Sequence, residues 1–417
     1  MMYLFATLLS TAVLAWSHEL SFPLPGRPPA DNRVALVLDG QPISLLADSG
    51  SARFFVVYGG WFERQYGRGS CRRHNMTCYF CPVEAPCDDI EQRERFGVRY
   101  GGGSIFYQYV QHTGSLDLDD QSTVQVTFGL IVDHDDANGF APDGVLGLSF
   151  GRPGIPKTFL QQLKGSKVIH TLAYSLDFRQ DQGGGKLVLG DSGSQSKYTV
   201  HLRFTRLPGA HPKLFVPVTS VRIAKKLVSG RKAIGRVSEK VAPISLNHTV
   251  VFMDTGNAYL GMPRATFDIL VEDLKASPNA ASPAGVLGEG LWRSAEEPVW
   301  KIRPGHVKFL PTIIYSLVGV AGEIVDVKML PEDYVGSCTV AECNVYINVQ
   351  EGALVTFGRP FFRAYHAFVD LEKQSMAITP HSPGEKFPGR VKDRSQRKAV
   401  GRRFICGLLG CVRNKGS

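Results

Sequence analysis

Residues 43–51 read ISLLADSGS, and residues 249–257 read TVVFMDTGN. In each, a run of apolar residues leads straight into Asp, a small hydroxyl residue and Gly. The run predicts a buried strand. The Asp and Gly predict that it ends in a tight turn, where the missing side chain lets backbone approach closely. Roughly a hundred residues after each Asp comes an apolar pair followed by glycine, in GVLGLSF (144–150) and LVTFGRPFF (354–362). Such a repeat predicts two copies of one architecture, set as lobes about a cleft. A cleft between lobes is where a ligand site is expected. Each lobe offers it one carboxylate, Asp48 or Asp254, and Ser49 and Thr255 are placed to bridge from one lobe to the other.

The letters Asp-Ser-Gly-Ser of 48–51 recur at 191–194, within LVLGDSGS. This second copy has the look of a serine nucleophile loop, but that chemistry needs a histidine base and a buried acid upstream. No histidine in such a context precedes it, so it reads as a turn leaving a strand.

Outward from these turns the chain is mainly β. RVALVLDGQPISLLADSG (33–50) is strand, Asp-Gly hairpin turn, strand. SLDLDDQSTVQVTFGLIV (115–132) and the stretch from HTLAYSLDF to KLVLGD continue that rhythm. Helical periodicity is confined to short stretches, clearest at RATFDILVEDLKA (264–276) and next at PKTFLQQLKG (156–165). The chain has 417 residues, 43% of them hydrophobic and 20% charged, which suits a folded protein with a sizeable core.

The net charge of +9 suggests a nucleic-acid binder until it is located. Residues 381–417 hold ten Lys and Arg against two acids, leaving residues 1–380 almost neutral. The basicity therefore belongs to a flexible tail, suited to touching an acidic surface, and no nucleic-acid partner is expected. The opening MMYLFATLLSTAVLAWS (1–17) reads as a secretory signal peptide, followed by a short segment over 18–31. No other stretch has the length of apolar sequence a transmembrane helix needs. Eight cysteines, an even number, fit an oxidising compartment. Cys71, Cys78, Cys81 and Cys87 form one group, Cys338 and Cys343 a second, and Cys406 and Cys411 a third. Disulfides are favoured over a zinc site on His74, Cys78 and Cys81, and no metal or cofactor is expected. Asn75 and Asn247 begin N-glycosylation sequons.

Taken in order, the motifs resemble those of pepsin-like aspartic endopeptidases over about residues 32–380. LLADSGSARFFVV matches the first active-site loop and VRYGGGSI (98–105) the flap hairpin. APDGVLGLSF supports the first aspartate, VVFMDTGNAYLGMP is the second loop, and VTFGRPFFRAYHAFVDLEKQSMAITP closes the second lobe. The resemblance implies an all-β, bilobal pepsin-like fold with lobes over 32–200 and 201–380. It implies catalysis by Asp48 and Asp254, supported by Ser49, Gly50, Ser51, Thr255, Gly256 and Asn257. A flap carrying Tyr100, Gly101 and Gly102 would cover a protein or peptide substrate. Two facing carboxylates cannot both ionise and hold one proton between them, an effect for which aspartic proteases are the standard example.

Three departures stand out. The family usually has a hydroxyl three positions after each aspartate, bonded to the carboxylate; Ser51 fits, whereas the second loop has Asn257. Phe55 replaces a tryptophan that would donate to the flap tyrosine. Arg359 stands where the family often has Asp. The cysteine-rich insert before the flap is similar to that of the nepenthesin-like branch. A monomeric enzyme, secreted or in an endomembrane or vacuolar lumen, is expected; the competing reading is a catalytically silent pepsin-fold binding protein.

Overall fold

In a computed structural model, the described residues are 19–21, 32–118, 122–137, 139, 141–178, 185–190, 193, 199–224, 244–276, 291–293, 299–350, 352 and 354–381. The leader, the basic tail with Cys406 and Cys411, Ser192 and the side chain of Asn247 lie outside them.

The architecture is mainly β and bilobal, of the pepsin-like kind. First-half strands form an eight-stranded sheet. The hairpin Arg33–Leu38 and Gln41–Asp48 turns on Asp39 and Gly40, at φ of 47° and 70°, the positive pair that an Asp-Gly turn supplies. Gln41–Asp48 then pairs in parallel with Val145–Gly147, and that strand pairs with the wholly buried Phe54–Tyr58. Thr123–Asp136, Ile105–Asp117 and Phe96–Tyr100 follow, the last two forming the hairpin expected as the flap, and Cys78–Tyr79 completes the sheet beside Phe54–Tyr58.

Second-half strands repeat this plan in a seven-stranded sheet. Ile244–Met253 pairs in parallel with Val355–Phe357, which pairs in turn with Leu260–Pro263. A third sheet of six strands draws on both halves. In it Ala173–Asp177 lies beside Tyr365–Asp370, and Val200–Arg203 beside Ser375–Pro380. Glu19–Ser21 adds an edge strand against Lys186–Leu189. One continuous apolar core runs beneath the sheets, from Leu45 and Phe54 to Val216, Phe357 and Phe361.

Both expected helices form. Arg264–Ala276 spans the periodic stretch, and Phe159–Gly165 starts on a capping box, with Gln161 N donating to Thr158 Oγ1 at 3.2 Å and Thr158 N to Gln161 Oε1 at 2.9 Å. Among the described residues no helix is long and apolar enough to cross a membrane. The insert before the flap folds as two short helices, Gly59–Tyr66 and Ser70–Arg73, and two disulfide loops, Cys71–Cys78 and Cys81–Cys87. Cys338 and Cys343 close a third. Asn75 sits exposed between the first pair of cysteines at φ 52°.

Candidate active site

Both aspartates stand where a strand ends and the chain crosses a glycine-bearing neighbour. Leu148 N donates to Asp48 O at 2.9 Å, and Asp254 N donates to Phe357 O at 3.0 Å. Gly147 and Gly358 make the crossings possible. A Cβ on Gly147 would lie 2.4 Å from Arg53 N, and one on Gly358 2.4 Å from Asn257 O. The two loops thus arrive at the cleft by equivalent routes.

Four hydrogen bonds then lock one loop to the other. Ser49 N donates to Thr255 Oγ1 at 2.8 Å and Thr255 N to Ser49 Oγ at 2.9 Å. The two hydroxyls donate onward across the interface, Ser49 to Met253 O at 2.9 Å and Thr255 to Ala47 O at 2.6 Å. All four groups are buried, so each bond is made in a low dielectric and none can be replaced by water. Asn32, which belongs to no motif, adds a fifth tie. It is 1% exposed, and its Nδ2 donates to Thr255 O at 2.7 Å.

The carboxylates are aimed by their own turns. Gly50 N donates to Asp48 Oδ1 at 2.8 Å, and Gly256 N to Asp254 Oδ1 at 3.0 Å. Each glycine also abuts the opposite aspartate: a Cβ on Gly50 would sit 2.4 Å from Asp254 Oδ1, and one on Gly256 2.6 Å from Asp48 Oδ1. The side chains that result share a hydrogen bond. Burial, and then the charge of Asp254, push Asp48 well above the ordinary carboxylate range. Burial raises Asp254 as well, against hydrogen bonds from Asp48 and from the N–H groups of Gly256 and Asn257. Lys213, whose Nζ lies 4.6 Å from the Phe252 ring centroid, favours the ionised form of both.

Ser51 and Asn257 stand three residues after the aspartates but do different things. Ser51 Oγ is 3.0 Å from Tyr100 Oη and accepts from Arg53 N at 3.2 Å, which differs from the carboxylate contact the resemblance implied. The reason is Phe55. Its ring packs edge-on to Tyr100, centroids 6.5 Å apart, and offers no donor, so the phenol turns to the nearest hydroxyl. Asn257 Oδ1 accepts from Tyr259 N at 2.9 Å. Gly101 and Gly102 form the exposed tip of the hairpin, at φ of 56° and 70°.

The chain matches the family model of eukaryotic aspartyl proteases over residues 34–381. It belongs to that family. A search of the curated proteins found no match. For a eukaryotic aspartyl protease, a peptidase family acting on peptide substrates, the matched span takes in both aspartate loops, the flap and the closing segment. The cysteines of this aspartyl protease that could have held zinc with His74 are instead paired as disulfides. Cys81 and Cys87 do lie beside His112, with Cys87 Sγ 3.9 Å from Nδ1, yet as a disulfide they present no thiolate.

Proposed function

We propose that Asp48 and Asp254 are the catalytic pair of an aspartic endopeptidase. The observation that carries this reading is the reciprocal seating of each carboxylate against the glycine of the opposite loop. That seating brings two acids together with one proton between them, and the proton belongs to the pair. The ionised member takes a proton from a water held between the two. The water oxygen attacks the peptide carbonyl carbon as the protonated member donates to the carbonyl oxygen. Collapse of the tetrahedral intermediate breaks the C–N bond, and the amine leaves with a proton returned from the pair.

An extended peptide lies under the flap as an added strand, bound through its backbone. Tyr100, anchored on Ser51, closes over it and keeps bulk water from the reacting atoms. The raised Asp48 holds the shared proton into weakly acidic solution, so activity is expected there. Three disulfides support work in an oxidising compartment, in the secretory pathway or beyond it. The enzyme acts as a monomer, with the basic tail free to meet an acidic surface.

The test is cleavage of a denatured protein from pH 3 to 7, with and without a statine-type inhibitor, by the parent and by Asp48→Asn and Asp254→Asn. Inhibitable cleavage lost in both variants is expected. Its absence in the parent at every pH would leave a pepsin-fold binding protein; full activity in either variant would remove the pair from the chemistry.

A further inference from the structure

The cysteine-rich insert holds a second cluster of reactive groups. His112, on strand Ile105–Asp117, sits between Tyr79 and the Cys81–Cys87 disulfide. Tyr79 Oη donates to Asp39 Oδ2 at 2.6 Å and lies 2.9 Å from His112 Nε2. A phenol has one proton, and Asp39 takes it; the second contact therefore uses the N–H of Nε2. That leaves Nδ1 as a bare lone pair. Arg93 Nη1 donates to it at 3.2 Å, and Cys87 Sγ faces it at 3.9 Å. Arg93 is itself gripped by both oxygens of Asp89, at 3.0 and 2.7 Å. Burial, then the Arg93 charge, hold His112 below the ordinary imidazole range, as a lone-pair acceptor requires.

This is the setting of a sulfur that leaves easily. Exchange at a disulfide is fast when the departing thiolate is stabilised and the attacked sulfur can be reached. Cys87 is buried against the imidazole lone pair, with a guanidinium on the same nitrogen. Cys81 is half-buried, and the loop that follows it is exposed over 83–86, Val83 by 90%. The other two disulfides lack this division. Cys71 and Cys78 are both buried in the apolar cluster of Phe62 and Tyr107. Cys338 is exposed, but its partner Cys343 is buried in a strand paired with Ile302 of the core. A thiolate released into apolar surroundings is disfavoured and departs slowly.

We propose that Cys81–Cys87 is a thiol-exchange site, at which a dithiol attacks Cys81 and Cys87 leaves as a thiolate held by Arg93 and His112. A sulfur of the dithiol, as thiolate, bonds to Cys81 Sγ; the Cys81–Cys87 bond breaks, and its electron pair stays on Cys87 Sγ. The second sulfur of the dithiol then attacks the first, which closes the dithiol into its own disulfide and releases Cys81. Two electrons pass from the dithiol to the cystine, and the two thiol protons end on Cys81 Sγ and His112 Nδ1. The Asp39–Tyr79 pair supports the imidazolium so formed through Nε2.

The experiment treats the full-length protein with limiting dithiothreitol, quenches with iodoacetamide and reads each cysteine by peptide mass spectrometry. Cys81–Cys87 should be reduced first. The ratio of its rate to those of Cys71–Cys78 and Cys338–Cys343 should fall about fivefold in Arg93→Gln, through the poorer leaving group, and recover in Arg93→Lys. A loosened fold would speed all three reductions, so a purely structural role of Arg93 would not lower this ratio. With reduced glutathione, a monothiol, the trapped mixed disulfide should lie on Cys81. Equal rates at the three disulfides, earlier reduction of either other pair, a ratio unmoved by Arg93→Gln, or a glutathione adduct on Cys87 would each overturn the proposal.

Discussion

Gly50 lies so close to Asp254 that a single methyl group on it would fall 2.4 Å from the carboxylate oxygen Oδ1. The carboxylate cannot swing away freely, because Gly256 N holds the same oxygen at 3.0 Å. Gly50→Ala should therefore displace one acid from the other. We expect kcat to fall by about a hundredfold, as for an ångström-scale misplacement of a reacting group. Single-turnover cleavage checks this, with near-ultraviolet circular dichroism to show that the fold persists.

Thr255→Val keeps the shape of the loop junction and removes its hydroxyl. Ser49 N–H would then be buried without an acceptor, and Ala47 O would lose its 2.6 Å donor. The expected cost is about 1–3 kcal/mol. It should appear as a lower thermal midpoint with both aspartates intact. An unchanged midpoint would mean that the crossed bonds do not hold the loops together.

The raised pKa of Asp48 has a consequence for stability. Its proton is bound more tightly in the folded chain than in the unfolded one. The resulting stabilisation is present at low pH and is lost as pH rises through the folded value. Asparagine resembles the protonated acid at every pH. Asp48→Asn should accordingly melt above the parent at pH 7, with the two converging near pH 3. A constant difference across that range would show that the carboxyl does not titrate as a buried group.

Lys213 favours the ionised form of both carboxylates from its place over the Phe252 ring. Lys213→Met removes the charge while keeping an apolar stem against the ring. Both limbs of the pH profile of kcat/KM should then move to higher pH. A fall in activity without such movement would assign Lys213 to peptide binding instead.

The two aspartate turns were legible because their signal is local: an apolar run, then Asp, hydroxyl and Gly. The helix at Arg264–Ala276 was legible for the same reason, since 3.6-residue periodicity needs no partner. Gly59–Tyr66 gave no such signal, for it begins on two glycines and has no side-chain cap. Cysteine pairing was out of reach because four nearby cysteines allow three connectivities. Asn32 and the turn of Ser51 toward Tyr100 were invisible for a different reason. Each depends on a group far along the chain, Thr255 in one case and the flap with Phe55 in the other.

The six-stranded sheet sets an order on the life of the molecule. Ala173–Asp177 pairs on one side with Lys186–Leu189 but on the other with the distant Tyr365–Asp370, and Asp254 N waits for Phe357 O. A chain emerging from the ribosome exposes its first aspartate loop long before those residues exist, and loop closure over such a separation is slow. The two aspartate loops are thereby held apart from their final seating until Phe357 and Tyr365–Asp370 have been made.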